Sequence, residues 1–157
     1  MPHCLPEVGA GGGTPTRTMI KKISHIGIAV KNLRESDELF AKLLGKAPDR
    51  REYVEEQRAE LSFYPVGESS LELIEPAEPK DSSLARFIEK RGEGIHHICL
   101  EVDDLRAEMD RLTAQGFRFT DDAPVPGGDG TIVAFIHPSS ANGILLELCE
   151  RIQPPRQ

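Results

Sequence analysis

The chain has 157 residues, with 19 Lys and Arg against 26 Asp and Glu, for a formal net charge of −7. That is the length of one domain, and 38% hydrophobic residues give enough apolar material for a core, which excludes a wholly disordered chain. An acidic chain without a Lys/Arg stripe excludes a general nucleic-acid binder, because phosphate contacts supply that affinity. No apolar run approaches the ~18 residues of a membrane helix, so no membrane partner is expected. Cys4, Cys99 and Cys149 have no CxxC spacing, which argues against a disulfide framework or a Cys-based zinc site. A reducing compartment fits them, and a cytoplasmic location is expected.

In chain order, residues 1–18 are rich in Gly and Pro, lack apolar periodicity, and read as a flexible tail without a secretory signal. His3 and Cys4 in that tail read as bystanders. The folded unit is expected over 19–151, with 152–157 as a frayed end. Ile23–Val30 alternates Ile26, Ile28 and Val30 with smaller or polar residues, the period-2 sign of a strand. Leu33, Asp37, Phe40 and Leu44 then fall at helical spacing, closed by Gly45. Ser70–Glu75 reads as a strand, and Ser82–Arg91 as a connecting helix with Leu84, Phe87 and Ile88 inward. Asp103 and Asp104 offer N-cap oxygens to a second helix carrying Leu105, Met109 and Leu112 and stopped by Gly116. Gly143–Glu150 reads as the final strand.

The chain repeats itself. His25-Ile-Gly-Ile-Ala-Val30 and the following Leu33-Arg34 align with His97-Ile-Cys-Leu-Glu-Val102 and Leu105-Arg106, at an offset of 72. Leu71-Glu72-Leu73 aligns with Leu146-Glu147-Leu148 at an offset of 75. Phe63–Pro65 against Phe135–Pro138 falls between them. Matches in the same order with drifting offsets define a duplicated module of strand, helix and three strands, over about 20–80 and 92–151.

The repeat places His25 and His97 at one point of each first strand, and Glu72 and Glu147 at one point of each last strand. Alternation puts His25 on the face opposite Ile26 and Ile28, and His97 on the face of Cys99 and Glu101. Glu72 and Glu147 interrupt apolar runs, where a carboxylate is costly to desolvate unless a cation neutralises it. If the last strand of each module lies near its first, these two His and two Glu meet in one cavity. That N₂O₂ set suits a divalent transition metal with open positions for water or substrate. Alternation turns His96 to the opposite face, as a structural residue. His137 is expected in a turn before Pro138, and Cys99 has no adjacent base and is not read as a nucleophile.

The segments HIGIAV (25–30), FYPVGESSLELIEP (63–76), FIEKRGEGIHHICLEVDDL (87–105) and VAFIHPSSANGILLELCE (133–150) carry a resemblance. The chain resembles the vicinal oxygen chelate, or glyoxalase-like, superfamily and within it the methylmalonyl-CoA epimerase family. The resemblance implies an α+β fold of two tandem βαβββ modules forming a curved mixed sheet around a metal-binding cavity. It implies His25, Glu72, His97 and Glu147 as ligands of a divalent ion (Co, Mn, Ni or Zn), the same four that the repeat selects.

The implied reaction interconverts (2R)- and (2S)-methylmalonyl-CoA. A free carboxylate of pKa ~4.3 is a poor base for such a carbon acid, and each ~1.36 kcal/mol of enolate stabilisation is worth about tenfold in rate. Glu147 is implied as a ligand that also serves as base, and Glu60 as a second proton-transfer acid. Gln57-Arg58-Ala59 departs from the family's Gln-Gly-β-branched pattern beside it. Arg86, Lys90 and Arg91 are candidate contacts for the acyl-CoA phosphates, and Pro126–Gly130 resembles a loop at the active-site mouth. Ser139 stands where relatives often have Lys. The resemblance further implies a homodimer. The alternatives are a glyoxalase I-type isomerase using the same four ligands, an extradiol dioxygenase needing only two His and one carboxylate, and a metal-free binding protein of this fold.

Overall fold

Each half of the chain begins with the strand and helix that its pattern predicts. The computed structural model describes residues 20–152; the expected tail with His3 and Cys4, and residues 153–157, lie outside the described residues. Strand β1 (Ile20–Ala29) leads into α1 (Leu33–Leu44). The Asn32 side chain accepts the Glu35 backbone N–H at the start of α1, and Gly45 ends it at φ 73°, a left-handed turn that costs glycine little. Strand β5 (Gly94–Val102) and α3 (Leu105–Ala114) repeat this pair, with Asp104 accepting from Ala107. The first module continues with β2 (Arg50–Val54), β3 (Ala59–Val66) and β4 (Ser69–Pro76), the second with β6 (Val125–Pro126), β7 (Thr131–Ile136) and β8 (Leu146–Arg151). Strand β6 is only two residues long, flanked by Pro124 and ending at Pro126, neither of which can donate to a ladder. Between the modules, α2 (Ser83–Arg91) is capped by Ser82 and buries Leu84 and Ile88.

All strands join one mixed sheet in the order β2-β3-β4-β1-β5-β8-β7-β6. The two modules meet along an antiparallel β1–β5 seam, and each first strand lies parallel to the last strand of its own module. The register repeats as well: Glu72 sits opposite Gly27, and Glu147 opposite Cys99, which is the equivalent position 72 residues on. Helix α1 packs against β3 and β4, and α3 against β7 and β8. Val30, Leu33, Tyr64 and Leu73 form the core under α1, and Leu105, Met109, Leu112 and Leu148 part of that under α3. No helix among the described residues is long and apolar enough to cross a membrane.

Asp37, in the inward stripe of α1, is buried as a carboxylate with full partners. It accepts from the Ser62 hydroxyl at 2.9 Å, the Tyr64 hydroxyl at 2.6 Å and the Arg51 Nε at 2.9 Å. A buried charge survives only when hydrogen-bonded and paired in this way.

The seam is irregular in three places, one at its outer end between Ile20 and Lys22 and two beside the histidines. Ile23 pairs with Leu100 and His25 with Cys99, so Ser24 is an extra residue on β1; Gly27 pairs with His97 and Ile28 with Ile95, so His96 is an extra residue on β5. Such β-bulges break the alternation of side chains. The expectation that His96 turns away from His97 is therefore corrected: the two side chains touch.

Candidate metal centre

The parallel pairings β1–β4 and β5–β8 bring the last strand of each module beside its first, and the seam brings the halves together. His25 Nε2 lies 2.9 Å from Glu72 Oε2, 3.4 Å from Glu147 Oε1 and 3.0 Å from His97 Nε2. His97 Nε2 lies 3.9 Å from Glu147 Oε2. The donor atoms of His25, His97 and Glu147 fall within 4.8 Å of one another, a spacing that could hold one ion. Glu72 reaches the same point through His25. Glu72, His97 and Glu147 are buried.

The electrostatics of the cluster suit a cation. Glu147 Oε2 is buried without a hydrogen-bond partner among the described residues, and burial raises the Glu147 carboxyl above its ordinary value. Burial opposes a charge on His25, but the carboxylates of Glu72 and Glu147 outweigh it and raise this imidazole to about 9. His97 is lowered well below the usual imidazole value by burial and by its neighbours His25 and His96. Burial pushes His96 down to about 4. Two imidazoles and the Glu147 carboxylate around one point, with the Glu72 carboxylate beside His25, fit a divalent transition metal bound through nitrogen and oxygen.

A cavity of about 330 Å³ opens in front of the cluster, walled by Leu61, Phe63 and Ile74. At its rim the Arg50 guanidinium stacks 3.7 Å above the Phe63 ring. Asp129, in the Pro126–Gly130 loop, bridges Arg50 and Arg151, each at 3.2 Å, and so ties the two modules across the mouth. Behind His97, a second space under α2 is lined by His96, Arg58 and Arg86. Lys90 and Arg91 line a further groove with Phe87 and Ile144.

Strand alternation removes Glu60 from the cavity. Leu61 and Phe63 face the cluster, whereas Glu60 lies in the groove beside α1 with Asp37, Arg51 and Glu75. The expected second acid is therefore on the wrong face of β3 for the reaction. Cys99 is fully buried against Val133 and Cys149, and it is Cys149 that lines the cavity. His137 sits at a short turn, where its Nδ1 accepts the Ser139 backbone N–H.

Sequence reasoning missed Gly27. A Cβ there would come within 2.1 Å of His97 Cε1, so only glycine admits this ring. It also missed the Arg50–Asp129–Arg151 bridge, for which the one available signal was the aspartate within the glycine-rich loop.

The profile of the Glyoxalase/Bleomycin resistance protein/Dioxygenase superfamily matches residues 24–135, and the chain belongs to that superfamily. Within it, the chain belongs with the methylmalonyl-CoA epimerases. It is 37% identical over 133 residues to the mitochondrial methylmalonyl-CoA epimerase of Dictyostelium discoideum, covering 84% of this chain and 80% of that one. It is 38% identical over 131 residues to Bacillus subtilis YqjC, covering 83% and 93%. The crystal structure of Mycobacterium tuberculosis methylmalonyl-CoA epimerase matches with a TM-score of 0.81 at 31% identity, covering 86% of this chain and 91% of that one. A single-substitution variant of Streptomyces coelicolor methylmalonyl-CoA epimerase in complex with 2-nitronate-propionyl-CoA matches with a TM-score of 0.79 at 30% identity, covering 85% and 99%.

Proposed function

We propose that this chain interconverts (2R)- and (2S)-methylmalonyl-CoA by moving the C2 proton beside a divalent ion held by His25, Glu72, His97 and Glu147. The observation that carries the reading is the grouping of His25, His97 and Glu147 donor atoms within one ion's reach, drawn from both modules, with Glu72 beside His25. The similarity to epimerases, one of them in complex with an acyl-CoA analogue, supports the substrate class. When bound, the ion supplies Lewis-acid stabilisation of the negative charge that grows on the substrate oxygens.

The protein supplies the rest. Glu147 takes the C2 proton as the general base. Leu61, Phe63 and Ile74 give the reacting carbon an apolar wall that keeps water from competing. Return of the proton on the opposite face completes the inversion. Arg86, in the space behind His97, and Lys90 and Arg91 beyond it offer positive charge to the CoA phosphates against the overall −7. The reading includes a cytoplasmic homodimer, which fractionation and sedimentation would test.

The deciding experiment follows deuterium uptake at C2 of methylmalonyl-CoA in D₂O with Co²⁺- or Mn²⁺-loaded protein. Uptake from both epimers is expected. Absence of uptake, with turnover of the methylglyoxal–glutathione adduct instead, would replace this reading by the glyoxalase I-type one.

A further inference from the structure

Each ligand histidine is touched by the residue that precedes it. Ser24 Oγ lies 3.1 Å from His25 Nδ1, and His96 Nδ1 lies 2.9 Å from His97 Nδ1. Neighbours on a regular strand point to opposite faces and could not meet in this way. They meet here because Ser24 and His96 are themselves bulged residues, two of the three irregularities of the seam. The two positions are equivalent in the repeat, 72 residues apart, so the bulge and the contact recur along with the ligand.

The geometry has a chemical consequence. In both histidines Nε2 faces the cluster and Nδ1 faces the preceding residue. An imidazole that binds an ion through one nitrogen carries its proton on the other, and that N–H needs an acceptor. We infer that Ser24 and His96 are paired positioning residues of the metal centre. They accept the Nδ1 protons of His25 and His97, fix both tautomers, and hold both Nε2 atoms toward one point. This inference rests on the proposed metal site. His96 accepts through Nδ1 and so keeps its own proton on Nε2; its ring stands edge-on to Phe87 of α2, at 4.9 Å between centroids. The His25 and His97 rings are perpendicular, with centroids 5.1 Å apart, which lets their Nε2 atoms converge without stacking.

The test is Co²⁺ affinity by calorimetry, with the visible spectrum of bound Co²⁺ as a reporter of coordination. The proteins are the wild type, Ser24→Ala, His96→Leu and His96→Asn, the last keeping an acceptor near the lost Nδ1. Loss of an outer partner weakens metal binding by about 10–100-fold. That loss is expected for His96→Leu, a smaller one for Ser24→Ala, and recovery to within about threefold of the wild type for His96→Asn. In the Zn²⁺-loaded wild type, ¹⁵N resonances should show His25 and His97 protonated at Nδ1 alone. If the wild type binds Co²⁺ and both Ser24→Ala and His96→Leu bind it equally well, the positioning role is overturned while the metal site stands. His96→Asn binding as weakly as His96→Leu would also overturn it. A wild type that binds no Co²⁺ overturns the metal site itself.

Discussion

His25 and His97 hold the same place in the two modules but meet different neighbours across the seam. His97 lies opposite Gly27 and fills the space that a Cβ would take. His25 lies opposite Cys99, the residue that stands where Gly27 stands in the first module. His97 thus sinks into the sheet and sheds its proton, while His25 stays between two carboxylates and keeps one to about pH 9. The helices diverge in the same way. Asp37 in α1 has a full set of partners, its equivalent in α3 is Met109, and the neighbouring Glu108 is buried with one oxygen unpartnered among the described residues. Duplication supplies the backbone plan, and single substitutions at equivalent positions then give each half its own part.

The largest effect is expected at the shared cluster: His25→Ala from the first module and Glu147→Gln from the second should each lower C2 deuterium exchange at least about a thousandfold, since a developing charge loses its stabilisation. Equal retention in either variant would mean that the halves do not share one site. Next come the helices. Asp37→Ala should cost about 3–5 kcal/mol in thermal or urea unfolding, because it strands Ser62, Tyr64 and Arg51. Glu108→Met should be neutral or stabilising by the same measure, because it removes a buried charge that lacks full partners.

At the seam, Gly27→Ala must displace the His97 ring and should weaken Co²⁺ binding about 10–100-fold. Cys99→Ala, at the equivalent position, should change it by less than about threefold. The pH dependence sharpens the contrast between the imidazoles. In the metal-free protein His25 is raised from 6.5 to about 9, so its contribution to stability is complete below pH 6.5 and is lost as pH rises through 9. An ion must displace that proton, so Co²⁺ affinity should rise about tenfold per pH unit up to about 9 from this group alone. The smallest effect is expected for Glu60→Gln, with exchange within about twofold of the wild type, because Glu60 faces the α1 groove.

The four proposed ligands were legible because duplication marks them twice, at fixed offsets and with residue types that serve no core. The helices were legible from their caps and stripes, as Asn32, Gly45 and Asp104 show. What escaped depends on one-residue details of register. The bulges at Ser24 and His96 leave no mark in composition, so alternation misplaces His96. Glu60 fails for the opposite reason: β3 alternates regularly, and the resemblance pointed one residue away from the cavity face occupied by Leu61. The Asp129 bridge joins residues from β2, a loop and β8, and no local pattern encodes such a contact.

The even division of the four proposed donors across the β1–β5 seam would bear on the persistence of the protein. An ion bound there would hold the two halves to each other, and mass action would link its supply to folding. Free ion at a hundred times its dissociation constant would add about 2.7 kcal/mol to the folded state. Cells starved of the metal would then lose protein as well as turnover, through faster degradation of the loosened chain.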